Sequence, residues 1–224
     1  MQTSILLKPT AFEGSEAVSS LATNIRLSRT AKILTFTGCH ENERSTAIVL
    51  EIAKTLAGMR RVLVIDADLR TSPIEAEYTA EASPLGLTDL LTGSAKPSDV
   101  ISPTNIKGLD LVTAGALVQN PAAILQSTAF DHFLELAGKI YDHVLINTPH
   151  ILEATDAMLV AAASDASVLI VNCWSVSRKD LLSAKAQLEK SGKPILGTVV
   201  TKFSTGKRKK RHFPSPVFPF LRKK

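Results

Sequence analysis

Lys32-Ile33-Leu34-Thr35-Phe36-Thr37, then Gly38-Cys39-His40-Glu41-Asn42-Glu43-Arg44, then Ser45-Thr46 and the residues up to Gly58, decide the fold. The first six residues are mostly apolar or β-branched and read as a buried strand. A turn-like segment follows. From Ser45 onward Ile48, Val49, Ile52, Ala53 and Leu56 recur at helical spacing, and Gly58 is a stop signal. Arg61-Val62-Leu63-Val64-Ile65 is a second apolar run, closed by Asp66-Ala67-Asp68. Strand, loop, helix, strand is the βαβ order of a parallel sheet.

Upstream of this unit, Ala17, Leu21 and Ile25 share one helical face after Gly14-Ser15, and residues 1–13 read as an extended arm. Downstream, strands are expected at 109–113, 143–147, 167–171 and 195–200, with helices at 127–138, 154–163 and 178–191. From Ser204 the periodicity stops. The expected organisation is a flexible arm (1–13), one α/β domain (14–203) and a flexible tail (204–224). Of the 224 residues 45% are hydrophobic and only 5% aromatic, which suits a mostly parallel central sheet with helices on both faces better than a β-sandwich. The two cysteines, Cys39 and Cys173, have neither metal-ligand nor disulfide-framework spacing, so a reducing compartment is expected. No run reaches the ~18 uncharged apolar residues of a membrane span, and none at the N-terminus suits a signal peptide. The net charge of +5 is unevenly placed. Gly206 to Lys224 holds eight Lys/Arg and no acid, which leaves 18 Lys/Arg against 21 Asp/Glu in the remainder. The body is mildly acidic and the basicity is an appendage.

The segment between the first strand and helix stands where a phosphate-binding loop would. The expected fold is therefore P-loop NTPase-like. A working loop of that kind uses glycines so that backbone N–H groups can wrap the phosphates, a Lys for the terminal phosphates and a Ser/Thr for Mg²⁺. Here the Lys position is Arg44, the glycine before it is Glu43, and the glycine two earlier is Glu41; Gly38, Ser45 and Thr46 remain. Glutamates fill space that glycine leaves open, and they resist positive φ. Like charges ~4 Å apart repel by roughly 4 kcal/mol at an effective dielectric near 20. That is about a thousandfold in affinity for each engaged carboxylate. Arg44 keeps the positive charge, but its planar fork does not replace a Lys point charge.

Val62-Leu63-Val64-Ile65-Asp66-Ala67-Asp68-Leu69-Arg70 resembles the second Walker-type motif of the bacterial tyrosine kinases (BY-kinases). Gly86-Leu87-Thr88-Asp89-Leu90-Leu91-Thr92-Gly93, Leu109 to Gly115 with Asn120-Pro121-Ala122-Ala123-Ile124-Leu125, and Tyr141-Asp142-His143-Val144-Leu145-Ile146-Asn147-Thr148-Pro149 are similar to further family motifs in the same order. Asp156-Ala157, Arg178 to Leu182 and Gly197 to Val200 add to the match, which spans about 14–203. The resemblance to Min/Par-type ATPases is more distant.

What the resemblance implies is tempered at the functional positions. The family's Walker B aspartate is Asn147, and an amide brings no charge to a Mg²⁺ shell. The family's Asn near the nucleotide base is Thr201. Of the E-x-x-R-x-x-R assembly motif Glu16 is kept, but Ser19 and Ala22 replace the arginines. The tyrosine cluster is absent, and the two tyrosines are Tyr78 and Tyr141. Asp66 and Asp68, with Arg70, read either as remnants of a catalytic and Mg²⁺ site or as a polar strand end with a local ion pair. Arg44 reads as an anion contact or a surface residue, and Asn147 as a strand-end cap. A metal at Cys39-His40-Glu41 is not expected, because adjacent residues rarely face one ion. Trp174, following a strand, is expected to pack.

The tail joins Lys207, Arg208, Lys209, Lys210 and Arg211 to Phe213, Phe218 and Phe220. It suits an anionic membrane surface, at roughly 1 kcal/mol per basic residue, or a solvated tail. Nucleic acid is a weaker expectation, since no binding module precedes it. The resemblance then implies a pseudokinase-like accessory protein of exopolysaccharide, capsule or holdfast-type assembly. It would sit in the cytoplasm at the inner face of the membrane, with the cytoplasmic part of a polysaccharide co-polymerase, as a homo- or hetero-oligomer. No cofactor is expected, with Mg·ATP held only if the altered loop still binds. Two alternatives are an active tyrosine kinase with an atypical loop and a Min/Par-like positioning factor on membrane or DNA.

Overall fold

The computed structural model describes residues 16–28, 31–41, 44–74 and 85–201. The expected arm (1–13), the basic-aromatic tail, Glu43 and Tyr78 lie outside the described residues. In chain order the elements are α1 (Glu16–Leu27), β1 (Ile33–Gly38), α2 (Ser45–Ala57), β2 (Val62–Asp66), α3 (Leu87–Leu91), α4 (Pro97–Val100), β3 (Ser102–Pro103), β4 (Leu109–Val112), α5 (Pro121–Leu125), α6 (Thr128–Ile140), β5 (His143–Asn147), α7 (Asp156–Ala163), β6 (Ala166–Asn172), α8 (Arg178–Glu189) and β7 (Ile195–Thr201). The sheet runs β3-β4-β2-β5-β1-β6-β7. All neighbours are parallel except β3, which pairs antiparallel with β4 through Ser102 and Pro103.

The strands β2 and β5 are buried along their whole length, as expected of strands covered on both faces. Alternation sends Val62 and Val64 to the face covered by α1 and α2, and Leu63 and Ile65 to the face that carries Phe130, Phe133 and Leu134 of α6. Helices α5 and α8 are among those that carry their own start signals. Ser177 accepts from the Asp180 backbone N–H at 3.1 Å while Asp180 accepts from the Ser177 N–H at 3.3 Å, a reciprocal cap for α8. Asn120 accepts from Ala123 N–H ahead of Pro121 and starts α5.

Two of the motifs read in the sequence meet back to back. Leu87 N–H donates to Thr113 O and Thr88 N–H to Ala114 O. A Cβ on Gly86 would stand 2.3 Å from the Gly115 nitrogen, and Gly115 itself has φ +81°. Both positions require glycine for packing, without any ligand being involved. No helix among the described residues is long and apolar enough to cross a membrane.

Candidate functional site

The site lies where the parallel strands β1, β2 and β5 end, the edge of an α/β sheet at which ligands usually bind. The strand β1 stops at Gly38, and the loop beyond it leads to Arg44, which has left-handed backbone (φ 54°, ψ 37°) and stands at the head of α2 without a side-chain cap bond. An arginine in that conformation costs on the order of 1–2 kcal/mol, which the loop's surroundings must offset. A cleft of about 370 Å³ opens here, lined among others by Glu41, Arg44, Ser45, Thr46, Asp68 and Arg70. Thr148, His150 and Glu153 line it as well.

Beneath the cleft the sheet ends in a polar clasp. Asp66 is fully buried. Asn147 Nδ2 donates to Asp66 Oδ1 at 3.0 Å, Asp68 N–H donates to the same oxygen at 3.2 Å, and Ile74 N–H donates to Oδ2 at 3.3 Å. Burial pushes the Asp66 carboxyl up to about 7, with the Asn147 amide working against that shift and the Asp68 charge adding to it. On its other side Asn147 Oδ1 is 3.4 Å from Thr46 Oγ1, the hydroxyl on the first turn of α2. Asn147 therefore joins β5, β2 and α2, a wider role than the strand-end cap expected of it.

Asp68 folds its own loop. Its Oδ1 accepts from the backbone N–H of Arg70 and Thr71, each at 3.1 Å, and its Oδ2 accepts from the Thr71 hydroxyl at 2.7 Å. Arg70 does not pair with Asp66 or Asp68, as a local ion pair would require. Its fork reaches 86 residues along the chain to Asp156, with Nε to Oδ2 at 2.8 Å and an NH2 nitrogen to Oδ1 at 3.0 Å. Asp156 begins α7 and is fully buried, so the fork neutralises a carboxylate that water cannot reach.

The remaining candidates are placed as follows. Cys39 is buried in an apolar cluster with Ile151, Ala157 and Leu169. His40 stands near the surface between Glu153 (3.7 Å) and Asp180 (3.8 Å). Glu41 N–H donates to Glu153 Oε1 at 3.3 Å. Among the described residues no group of three or more His, Cys, Asp or Glu side chains is arranged to hold a metal. Thr201 ends the edge strand β7, donating to Val171 O, and does not line the cleft. Trp174 is 54% exposed, contrary to the packing role expected of it, because β6 ends at Asn172 and the chain turns out to the surface. Tyr141 is buried, its hydroxyl donates to Asp110 at 2.7 Å, and burial together with Asp110 pushes the phenol up. Glu153 and His150 carry no pattern that sequence reading could use. The His150 Nδ1 is buried without a hydrogen-bond partner, and burial pushes this imidazole down. Asp156 had only its place in the motif match.

No family model matches the chain. Tyrosine-protein kinase CpsD of Streptococcus agalactiae is 35% identical over 192 residues, which take in 84% of this chain and 82% of that protein. The crystal structure of the VpsO kinase domain is similar at TM-score 0.77 and 28% identity, covering 84% of this chain and 94% of that one. Cobyrinic acid a,c-diamide synthase of Mycobacterium smegmatis, solved with a bound ATP analog and magnesium, shares the fold at TM-score 0.65 and 18% identity, over 79% of this chain and 74% of that one.

Proposed function

The chain belongs to the bacterial tyrosine-protein kinases, and we propose that within this family it is a non-catalytic, pseudokinase-like member acting as an accessory or regulatory subunit of capsule or exopolysaccharide assembly. One observation carries the reading: the fully buried Asp66 is clasped by the amide of Asn147, whose other end meets Thr46. A Mg²⁺ ion takes oxygen ligands in a near-octahedral shell and keeps several waters. The donor set here does not fit one. Asp66 and Asp68 use their oxygens on protein N–H and O–H groups, and burial pushes the Asp66 carboxyl up to about 7. The cleft also carries Glu41 and Glu153 toward the place a polyphosphate would fill. Tyr141 is sealed, so no tyrosine among the described residues offers a free hydroxyl as a phosphoryl acceptor.

In this reading the protein works by docking on the cytoplasmic part of a polysaccharide co-polymerase, with the tail from Lys207 to Phe220 adding contact with an anionic membrane surface. Purified protein incubated with Mg·ATP is expected to give no phosphotyrosine and no phosphate release above a no-protein control. Phosphotyrosine on Tyr78 or on any partner would overturn the reading. One observation favours an active kinase with an atypical loop: α2 still turns Arg44, Ser45 and Thr46 into the cleft. That alternative requires Asp66→Ala to lower a measurable phosphate release.

A further inference from the structure

The two edges of the sheet are built differently. At one edge β3 is two residues long, and one of them is Pro103, which has no N–H to offer. At the other edge β7 pairs only with β6 among the described residues. From Pro194 through Thr201 the sequence is Pro-Ile-Leu-Gly-Thr-Val-Val-Thr, without one charged residue. A bulge at its start shifts the register between Ser167 and Val168, and Gly197 to Thr201 then run regularly against Val168 to Asn172. Along β7 the exposed positions alternate: Leu196 is 40% exposed, Thr198 is exposed and Val200 is 60% exposed. Native proteins seldom leave an uncharged, β-branched edge of this length open, because its free N–H and C=O groups template another strand.

We propose that the β7 edge is covered by the β7 edge of a second copy of this chain, joining the two sheets across a two-fold axis at Thr198. An isologous contact must be self-complementary, and this strand is. Antiparallel pairing about Thr198 sets Thr198 opposite Thr198 and Leu196 opposite Val200 at both ends, all on one face. Apolar and Thr–Thr cross-strand pairs of this kind stabilise by roughly 0.2–1 kcal/mol each. The chain's own continuation is a poor occupant by comparison. Residues 202–224 contain five consecutive cations, Lys207 to Arg211, and repulsion between them disfavours a strand laid on an apolar edge. The contact does not involve the phosphate-loop cleft, so it stands whether or not the protein turns over ATP.

Directly opposed residues in an antiparallel pair have Cα atoms ~4.5–5.5 Å apart, inside the disulfide range. Only the residue on the two-fold axis meets itself. The test uses the full chain with Cys173→Ser, leaving buried Cys39 in place, and adds Thr198→Cys or, as a control, Lys193→Cys. Wild type is expected to sediment as a dimer over a concentration series, and Thr198→Cys to oxidise to a covalent dimer at least ~10-fold faster than the control. Val200→Lys is expected to weaken the dimer by about 10-fold or more, with its circular dichroism unchanged. A monomer at every concentration, or cross-linking at Thr198→Cys no faster than at the control, overturns the assignment to a second copy. Should Val200→Lys misfold, the cross-linking rates decide alone.

Discussion

The corner where Gly86 meets Gly115 and the mouth of the phosphate loop belong to one sheet, yet they hold opposite kinds of information. At the corner, backbone lies on backbone: Leu87 and Thr88 donate into the segment after β4, and a single added methyl would stand 2.3 Å from a peptide nitrogen. At the mouth, Arg44 and Glu41 line the cleft and Asn147 holds Asp66 beneath it, where, on the proposed reading, a working member of the family would carry Lys, Gly and a carboxylate. Residues that the fold needs are in place. On the proposed reading, the residues that serve only a nucleotide are exchanged in part, at Glu41, Arg44 and Asn147, while Ser45, Thr46, Asp66 and Asp68 remain. Resemblance to a family can be complete in its packing and still leave its chemistry open, since packing and catalysis constrain different positions.

The largest effect is expected at Asp66. Its folded carboxyl sits near 7 against an ordinary value of 3.8, so the folded state holds a proton that the unfolded chain releases. Below about pH 4 both states are protonated and Asp66 costs nothing. Between pH 4 and 7 stability falls as pH rises, by about 1.4 kcal/mol per unit, and above 7 the loss levels off at roughly 4 kcal/mol. Urea denaturation is expected to show that fall in the difference between wild type and Asp66→Asn, because His143 and His150, pushed down by burial, work the other way as pH rises. Asp66→Asn is expected to remove that fall, at a pH-independent cost of roughly 1–3 kcal/mol for the amide donor it sets against a backbone N–H such as that of Ile74. A pH dependence left unchanged by Asp66→Asn would show that Asp66 does not titrate in this window.

At the corner, Gly86→Ala is expected to lose about 3 kcal/mol or more in chemical denaturation, because the obstructing atoms are backbone and cannot turn aside. A loss under about 1 kcal/mol would remove the packing explanation for that motif. Arg70→Ala should cost about 2 kcal/mol, less than for a fully buried pair since the guanidinium is 45% exposed. Arg70→Lys should recover only part of that, lacking the two-pronged fork that meets Asp156. The smallest expected effect is Asn147→Leu. Removing one donor to Asp66 leaves the Asp68 and Ile74 N–H groups in place, for a loss of roughly 1–2 kcal/mol at pH 5.

The sequence made the βαβ unit legible because its signals are local. The apolar run of β1, the helical face of α2 and the run into Asp66 each declare themselves within a few residues, and the observed bounds differ from the expected ones by a residue or so. The strand β3 did not declare itself, being two residues with a proline, held only by β4. The segments around Gly86 and Gly115 were readable as a resemblance, but not as a contact, since 29 residues separate glycines that touch only in the fold. The same limit hid the partner of Arg70, for nothing near Arg70 points to Asp156. Trp174 follows an apolar run, which is why packing is expected of it, whereas Asn172 ends the strand and accepts from the Trp174 N–H as the chain turns out. The chemistry of Asn147 was half legible: its substitution was visible, and its joint hold on Asp66 and Thr46 was not.

Isothermal titration of Mg·ATP into the purified full chain shows whether the cleft still holds a nucleotide. With Asn147 clasping Asp66, and Glu41 and Glu153 facing the cleft, no saturable binding in the micromolar range is expected, with or without Mg²⁺. A Mg²⁺-dependent micromolar Kd would contradict it, and would mean that Arg44 and the head of α2 still hold a nucleotide against the acids beside them.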